Sequence, residues 1–187
     1  MQKLIITNAV IVSAYNGFTV RANIWSETGY HSQIIYVNTD QCSIPTVPKE
    51  NKLNIIGSFE ASLKTTTEEI INVESKTRQF ENLYCFANCI ACVPPAEGTA
   101  SSIKCCLTDC SYVGTDKDGN TLIVEEKEFR NGMERKQTFR VSVTDDQKAR
   151  IDLNTAHKNH LCVIGDFGMC RNDENGIDLL VRADSVK

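Results

Sequence analysis

The stretch NHLCVIGDFGMCRNDENGIDLLVRADSVK, residues 159–187, has a fainter counterpart in NKLNIIGSFEASLKTTTEEIINVESK, residues 51–76. Leu53, Ile55, Ile56, Gly57 and Phe59 match Leu161, Val163, Ile164, Gly165 and Phe167 at one constant offset of 108 positions. A polar turn and a second β-rich run follow each copy. This is an internal repeat, and 187 residues suffice for two small domains of about 75–100 residues each.

Outward from the repeat the chain reads as β-strands with little helical periodicity. Residues 3–15, 18–26, 32–39, 53–63 and 69–75 are the expected strands of the first unit. Between its third and fourth strands, DQCSIPTVPKEN carries two prolines, which rule out a regular helix there. Residues 76–100 hold a cysteine-rich patch and then Pro, Gly and Ala, and place the domain boundary near Pro94 to Ala100. The second unit runs through 102–113, 121–129 and 136–144, with turns at TDKDGN and RNGMER whose Asp-Gly and Asn-Gly pairs favour hairpins. In 145–159, Ala149, Leu153 and Ala156 recur at helical spacing behind a candidate N-cap at Asp145 or Asp146. Two more strands follow. Three strands, a short helix and two strands is the order expected of an OB-fold, a small Greek-key barrel. The expectation is an all-β chain of two five-stranded OB-fold-like barrels in tandem: residues 1–76, a linker 77–100, and residues 101–187. The first barrel would lack the helix.

Gly165, then Arg171, Asn172, Glu174, Asn175 and Gly176, then Val181, Ala183, Asp184, Ser185 and Val186 lay out a glycine-containing strand, a polar turn and a closing strand. That arrangement resembles the last hairpin of bacterial and phage single-stranded-DNA-binding proteins. The resemblance reaches back through TFRVSVTDDQKARI to about residue 102, and residues 1–76 join it only through the repeat. It implies non-catalytic binding of single-stranded DNA in replication, recombination or phage and plasmid propagation. It also implies assembly as a homodimer or as a filament on DNA.

Such binding needs flat aromatic faces for bases, worth about 1–3 kcal/mol each, together with cations for phosphates. In FTVRANIWS the alternation puts Phe18, Val20, Ala22 and Ile24 on one side and Thr19, Arg21, Asn23 and Trp25 on the other. Tyr30, His31 and Tyr36 follow and extend the second face. In KQTFRVSVT, Phe139, Val141 and Val143 lie together, opposite Lys136, Thr138, Arg140 and Ser142, with Arg130 and Arg135 supplied by the preceding turn. With Arg171, these residues form the candidate nucleic-acid-binding set. The first unit is the stacking one and the second the electrostatic one. A bland reading stands beside each: Trp25 as the cover of a barrel end, Phe139 and Phe167 as core, and the cations of 129–136 as a solvated hairpin tip.

Composition narrows the alternatives. Hydrophobic residues make up 41% and charged residues 24%, as in a soluble globular protein. No run of about 18 apolar residues is present to cross a bilayer, so no membrane partner is expected. In MQKLIITNAVIVSAY, Asn8 interrupts the apolar run and no convincing cleavage site follows, so a first strand is expected there. The net charge is −4, with 7 basic and 9 acidic residues in 1–100 and 13 and 15 in 101–187. Neither half is basic, and an anionic ligand must be held locally. This acidity favours one alternative, a structural or assembly protein that binds no nucleic acid. RNA binding by the same faces is another.

Nine cysteines, an odd number, suit buried thiols in a reducing, intracellular compartment. The alternative is a structural zinc held by Cys89 and Cys92 with Cys106 and Cys110, the latter two sharing a face of a regular strand. His157, His160 and Cys162 lack an evident fourth ligand. No P-loop, G-x-S-x-G, H-E-x-x-H or dinucleotide fingerprint occurs, so no enzyme and no cofactor are expected.

Overall fold

The computed structural model describes residues 2–14, 18–48, 50–68, 76–94, 99–130, 133–151, 160–172 and 176–187. Among the described residues there are ten strands: β1 Gln2–Ser13, β2 Phe18–Ser26, β3 Gly29–Asn38, β4 Lys52–Glu68, β5 Lys76–Val93, β6 Ser102–Thr115, β7 Thr121–Arg130, β8 Met133–Ser142, β9 Leu161–Arg171 and β10 Ile177–Val186. Among the described residues there is one helix, α1, Asp145–Ala149. The alternation of FTVRANIWS holds as far as Ile24, with Phe18, Val20, Ala22 and Ile24 all in the core, and breaks at Trp25, which is buried as well.

The pairings form two five-stranded circuits. In the first, β1 joins β2, β2 joins β3, β3 joins β5, β5 joins β4 and β4 returns to β1. The second repeats this with β6, β7, β8, β10 and β9. In each, the third and fifth strands are parallel and the other neighbours antiparallel. This is the Greek-key circuit of an OB barrel. Among the described residues, a helix between the third and fourth strands occurs in the second barrel and not in the first.

The repeat is visible at the level of single atoms. Gly57 on β4 and Gly165 on β9 keep the offset of 108, and a Cβ at either would lie 2.2 Å from a backbone oxygen of the adjoining strand, that of Phe86 or of Arg182. Beside each glycine the partner strand holds one extra residue, Asn88 in β5 and Asp184 in β10, where the register shifts. Each first strand also breaks its register twice, toward the second strand at Val12 and Val113 and toward the fourth around Asn8 in β1 and Asp109 in β6. Asn8 and Asp109 have φ of 53° and 59°, the left-handed region that Asn and Asp tolerate better than other side chains. The same bulges bend both barrels shut.

The barrels join through β1 and β6, which pair antiparallel from Gln2↔Leu107 to Thr7↔Ser102. A continuous surface of six strands results, in the order β5-β4-β1-β6-β9-β10. A second junction is the parallel bridge Trp25↔Gly168 between β2 and β9. Phe59 of β4 meets Phe167 and Phe139 edge-on at 4.9 and 6.1 Å, so the two interiors form one core.

Three expectations are corrected. Residues 77–93, expected as linker, belong to β5, which is paired along its length with β4; the strand expected at 69–75 lies outside the described residues. The helix is capped by Thr144 rather than by an aspartate: its Oγ1 accepts from the Gln147 N–H while the Gln147 side chain accepts from the Thr144 N–H, a capping box. Gln147 then donates to the carbonyls of Ala183 and Asp184, which seats the helix on the β10 bulge. The third correction concerns zinc. Cys89 and Cys92 lie on β5 and Cys106 and Cys110 on β6, with β4 and β1 between them. At about 4.8 Å per strand the pairs are roughly 14 Å apart, too far for one tetrahedral ion. The Asp109 bulge also breaks the parity of β6, so that Cys110 faces inward with Cys105 and Leu107 while Cys106 does not. Among the described residues no group of three or more candidate ligands is placed to hold a metal; His157 lies outside them.

Candidate nucleic-acid interface

The register of β2, β3 and β5 sets out the outer face of the first barrel. Thr19 faces Tyr36, Arg21 faces Ile34, Asn23 faces Ser32 and Trp25 faces Tyr30. Tyr36 continues sideways to Tyr84 on β5, and the two rings stack with centroids 5.2 Å apart and planes 26° from parallel. Tyr36, Ile34 and Phe80 are 42%, 46% and 48% exposed, an unusual amount of flat apolar surface to leave in water on one face. They line a groove of about 500 Å³ with Gln33, Lys64 and Asn82, closed on one side by Arg171 from the second barrel.

The cations come mainly from the second barrel. Lys136, Thr138 and Arg140 of β8 line a groove of about 300 Å³, together with Ala61 of β4 and Asp178 of β10. At the position equivalent to the Tyr36–Tyr84 pair, β8 and β10 bring together Arg140 and Leu180. One row of the fold is therefore aromatic in the first barrel and cationic in the second. The long β4–β5 hairpin of the first barrel reaches the second barrel, where Arg171 donates from Nε to Glu81 at 2.5 Å and from Nη2 to the Gln79 carbonyl. Arg135 lies 3.8 Å from Glu60.

Of the expected set, Tyr36 and Arg171 line the first groove and Lys136 and Arg140 the second, while Arg21 and Arg135 are exposed outside both linings. His31 is exposed at the start of β3, opposite Ile24. Asn23 is half-buried, and its backbone N–H donates to Ser101 Oγ at 3.1 Å. Arg130 is the last residue of β7, and its side chain lies outside what the structure describes.

Trp25, expected on the outer face, is only 9% exposed and sits at the joint between barrels, where it bridges to Gly168. Gly168 packs against it so closely that a Cβ there would lie 2.6 Å from its carbonyl oxygen and 3.0 Å from its ring. The Arg182 guanidinium stands 5.9 Å from the Trp25 ring and 5.4 Å from that of Tyr30. Tyr30 belongs to the same joint, since its hydroxyl donates to Asp166 Oδ2 at 2.7 Å, and Arg182 donates to that oxygen at 2.5 Å. Lys104 lies 3.8 Å from Asp166 and pairs with Asp184. Burial pushes the Asp166 carboxyl up, but the hydrogen bonds of Tyr30 and Arg182 and the charges of Lys104 and Arg182 outweigh it and hold the group below its ordinary value. Burial, and then Asp166, raise the Tyr30 hydroxyl.

Sequence reasoning missed Ile34, Phe80, Tyr84 and Lys64. A signal for Tyr84 existed: in LYCFA, Leu83, Cys85 and Ala87 are buried while Tyr84 and Phe86 alternate with them. The cysteines of this stretch drew it into the linker. Burial pushes the Cys85 and Cys110 thiols up to about 12 and raises Cys105 as well, so these are apolar core residues and not nucleophiles.

No family model matches the chain, and no curated protein matches it. Among solved structures it is similar over its full length to the wild-type single-stranded DNA binding protein from Thermus aquaticus, with 13% identity, 91% of that chain covered and a TM-score of 0.42. A deletion mutant of the same protein (delta 228-252, R190A) gives 10% identity, 92% coverage and a TM-score of 0.43. At these values the assignment of two OB barrels rests on the strand circuits described above.

Proposed function

We propose that this chain is a non-catalytic single-stranded-DNA-binding protein of the cell interior, acting in replication, recombination or phage and plasmid propagation. The observation that carries the reading is the stack of exposed Tyr36 on half-buried Tyr84 with exposed Ile34 and Phe80 beside it, which continues onto β5 the β2–β3 face by which OB barrels receive single strands. Bases stack on this face whatever their identity, because each has a π-surface. Phosphates are met by Arg21 and Lys64 on the first barrel and by Lys136, Arg140 and Arg171 on the second. Two weak sites on one chain bind a common strand with an avidity about 10²–10⁴ above either alone. Titration of labelled single-stranded DNA, duplex DNA and RNA of equal length tests the reading. Preference for single-stranded DNA supports it, equal or tighter binding of RNA reassigns the ligand, and no binding of any of the three defeats it.

One observation favours protein contacts as well. Ile56 and Ile164, equivalent residues of the six-stranded surface, are 40% and 44% exposed, and their bulge-side counterparts Val12 and Val113 are 48% and 54% exposed. Apolar groups repeated about a pseudo-two-fold suit pairing with a second copy. Light scattering with and without a long single strand tests this: a dimer, or growth only on DNA, supports the combined account. A large assembly indifferent to DNA leaves the structural reading alone.

A further inference from the structure

The arginines that would meet phosphates in the second barrel already hold carboxylates. Glu81 and the Gln79 carbonyl occupy Arg171. Asp178 lies 3.6 Å and Asp116 3.9 Å from Arg140, and Glu60 lies 3.8 Å from Arg135. These pairs are solvent-accessible: the side chains of Arg171 and Glu81 are 45% and 32% exposed, and those of Arg140 and Asp178 are 45% and 29%. Pairs of this kind are held by only about 0.2–1 kcal/mol, little enough for a stronger acceptor to displace. Arg171 and Glu81 also line one groove with Tyr36 and Phe80, so a base stacked on the tyrosine carries its phosphate to the place where the carboxylate sits.

Resting on the reading above, we infer that single-stranded DNA binds by exchanging its phosphates for these intramolecular carboxylates, which act as resident competitors and set the affinity. Glu81 and Asp178 are the principal ones. The arrangement gives the net charge of −4 a purpose: isolated anions and sparsely charged polymers gain too little from one exchange, whereas a strand that stacks on the first barrel makes several exchanges at once. It also couples binding to shape, because Glu81–Arg171 ties the β4–β5 hairpin of the first barrel to the β9–β10 hairpin of the second. A phosphate taking Arg171 releases that tie.

The test is a binding series with an oligo-dT strand of about 30 nucleotides, long enough for two barrels at roughly 4–16 nucleotides each. Glu81→Gln and Asp178→Asn should each bind tighter than the unmodified protein by about 1.4- to 5-fold, the factor that corresponds to the pair strength. Glu50→Gln, a neutralised exposed carboxylate outside both grooves, should bind within experimental error of the parent. In an Arg171→Ala background the gain from Glu81→Gln should vanish. Equal gains from Glu50→Gln and Glu81→Gln, or a gain that survives Arg171→Ala, would reduce the effect to overall charge and overturn the inference. Binding by the parent with no gain from either carboxylate variant overturns it while leaving the proposed function standing; absence of binding by every variant removes both. Circular dichroism of each variant confirms that a fold is being compared, and the two carboxylates on separate strands keep the test open if one substitution misfolds.

Discussion

Adding a single methyl group at Gly165 should damage the second barrel at a predictable place. A Cβ there would lie 2.2 Å from the Arg182 carbonyl oxygen, 2.8 Å from its carbon and 2.9 Å from Ala183 Cα. All three atoms are backbone, and they sit beside the β10 bulge, so no side-chain rotation relieves the overlap; β9 and β10 must separate. Overpacking of this sort costs about 1–3 kcal/mol, partly offset by about 0.4–1 kcal/mol from the stiffer unfolded chain. At about 2–4 °C per kcal/mol for a chain of this size, Gly165→Ala should lower the melting temperature by several degrees. Gly57→Ala should do the same, because its Cβ meets the Phe86 oxygen at 2.2 Å and Ala87 Cα at 2.9 Å. Gly114→Ala is the control, with nothing within 4 Å, and should be neutral or slightly stabilising. Thermal unfolding followed by far-ultraviolet circular dichroism reads all three. If Gly57→Ala and Gly165→Ala melt with the control, the close strand approach and the structural repeat built on it are wrong.

Asp166, with its carboxyl held below the ordinary value of 3.8, contributes stability that is fully present above that pH and is lost as pH falls through the lower folded value; denaturant titrations at pH 7 and pH 3 should show the parent losing more stability than Asp166→Asn. Trp25 should keep its emission when oligonucleotide saturates the protein and should resist acrylamide, while Trp25→Ala should destabilise the fold by about 3–5 kcal/mol; strong quenching by DNA would return the tryptophan to the binding face. Metal analysis of protein purified without chelator should find far less zinc than protein, and a stoichiometric zinc that survives dialysis would contradict the strand spacing between Cys89 and Cys106.

What was legible in the sequence is what depends on local alternation. Phe18 to Ile24 could be assigned to the interior because a strand turns every second residue inward, and Gly57 and Gly165 announced themselves because the repeat keeps their spacing. What depends on non-local pairing was hidden. Trp25 alternates outward from its own barrel, and the approach of Gly168, 143 positions away, helps to bury it. Cys106 and Cys110 have the spacing of a shared face, but Asp109 at positive φ shifts the count by one. β5 was lost because three cysteines and a following proline resemble a metal-binding connection, although Leu83, Cys85 and Ala87 mark its buried face. With β5 went Phe80 and Tyr84, two of the three rings on that face.

The central claim, that the first barrel stacks bases while the second meets phosphates, is tested most directly by fluorescence anisotropy of labelled oligo-dT against the parent, Tyr36→Ala, Tyr84→Ala and Arg140→Ala over a range of salt concentrations. Either tyrosine variant should lose about 1–3 kcal/mol of binding with an unchanged salt slope. Arg140→Ala should bind more weakly and reduce the magnitude of the log–log slope by about 0.7, one single-strand phosphate contact. Affinity that ignores both tyrosines, or a salt slope that ignores Arg140, would contradict the account.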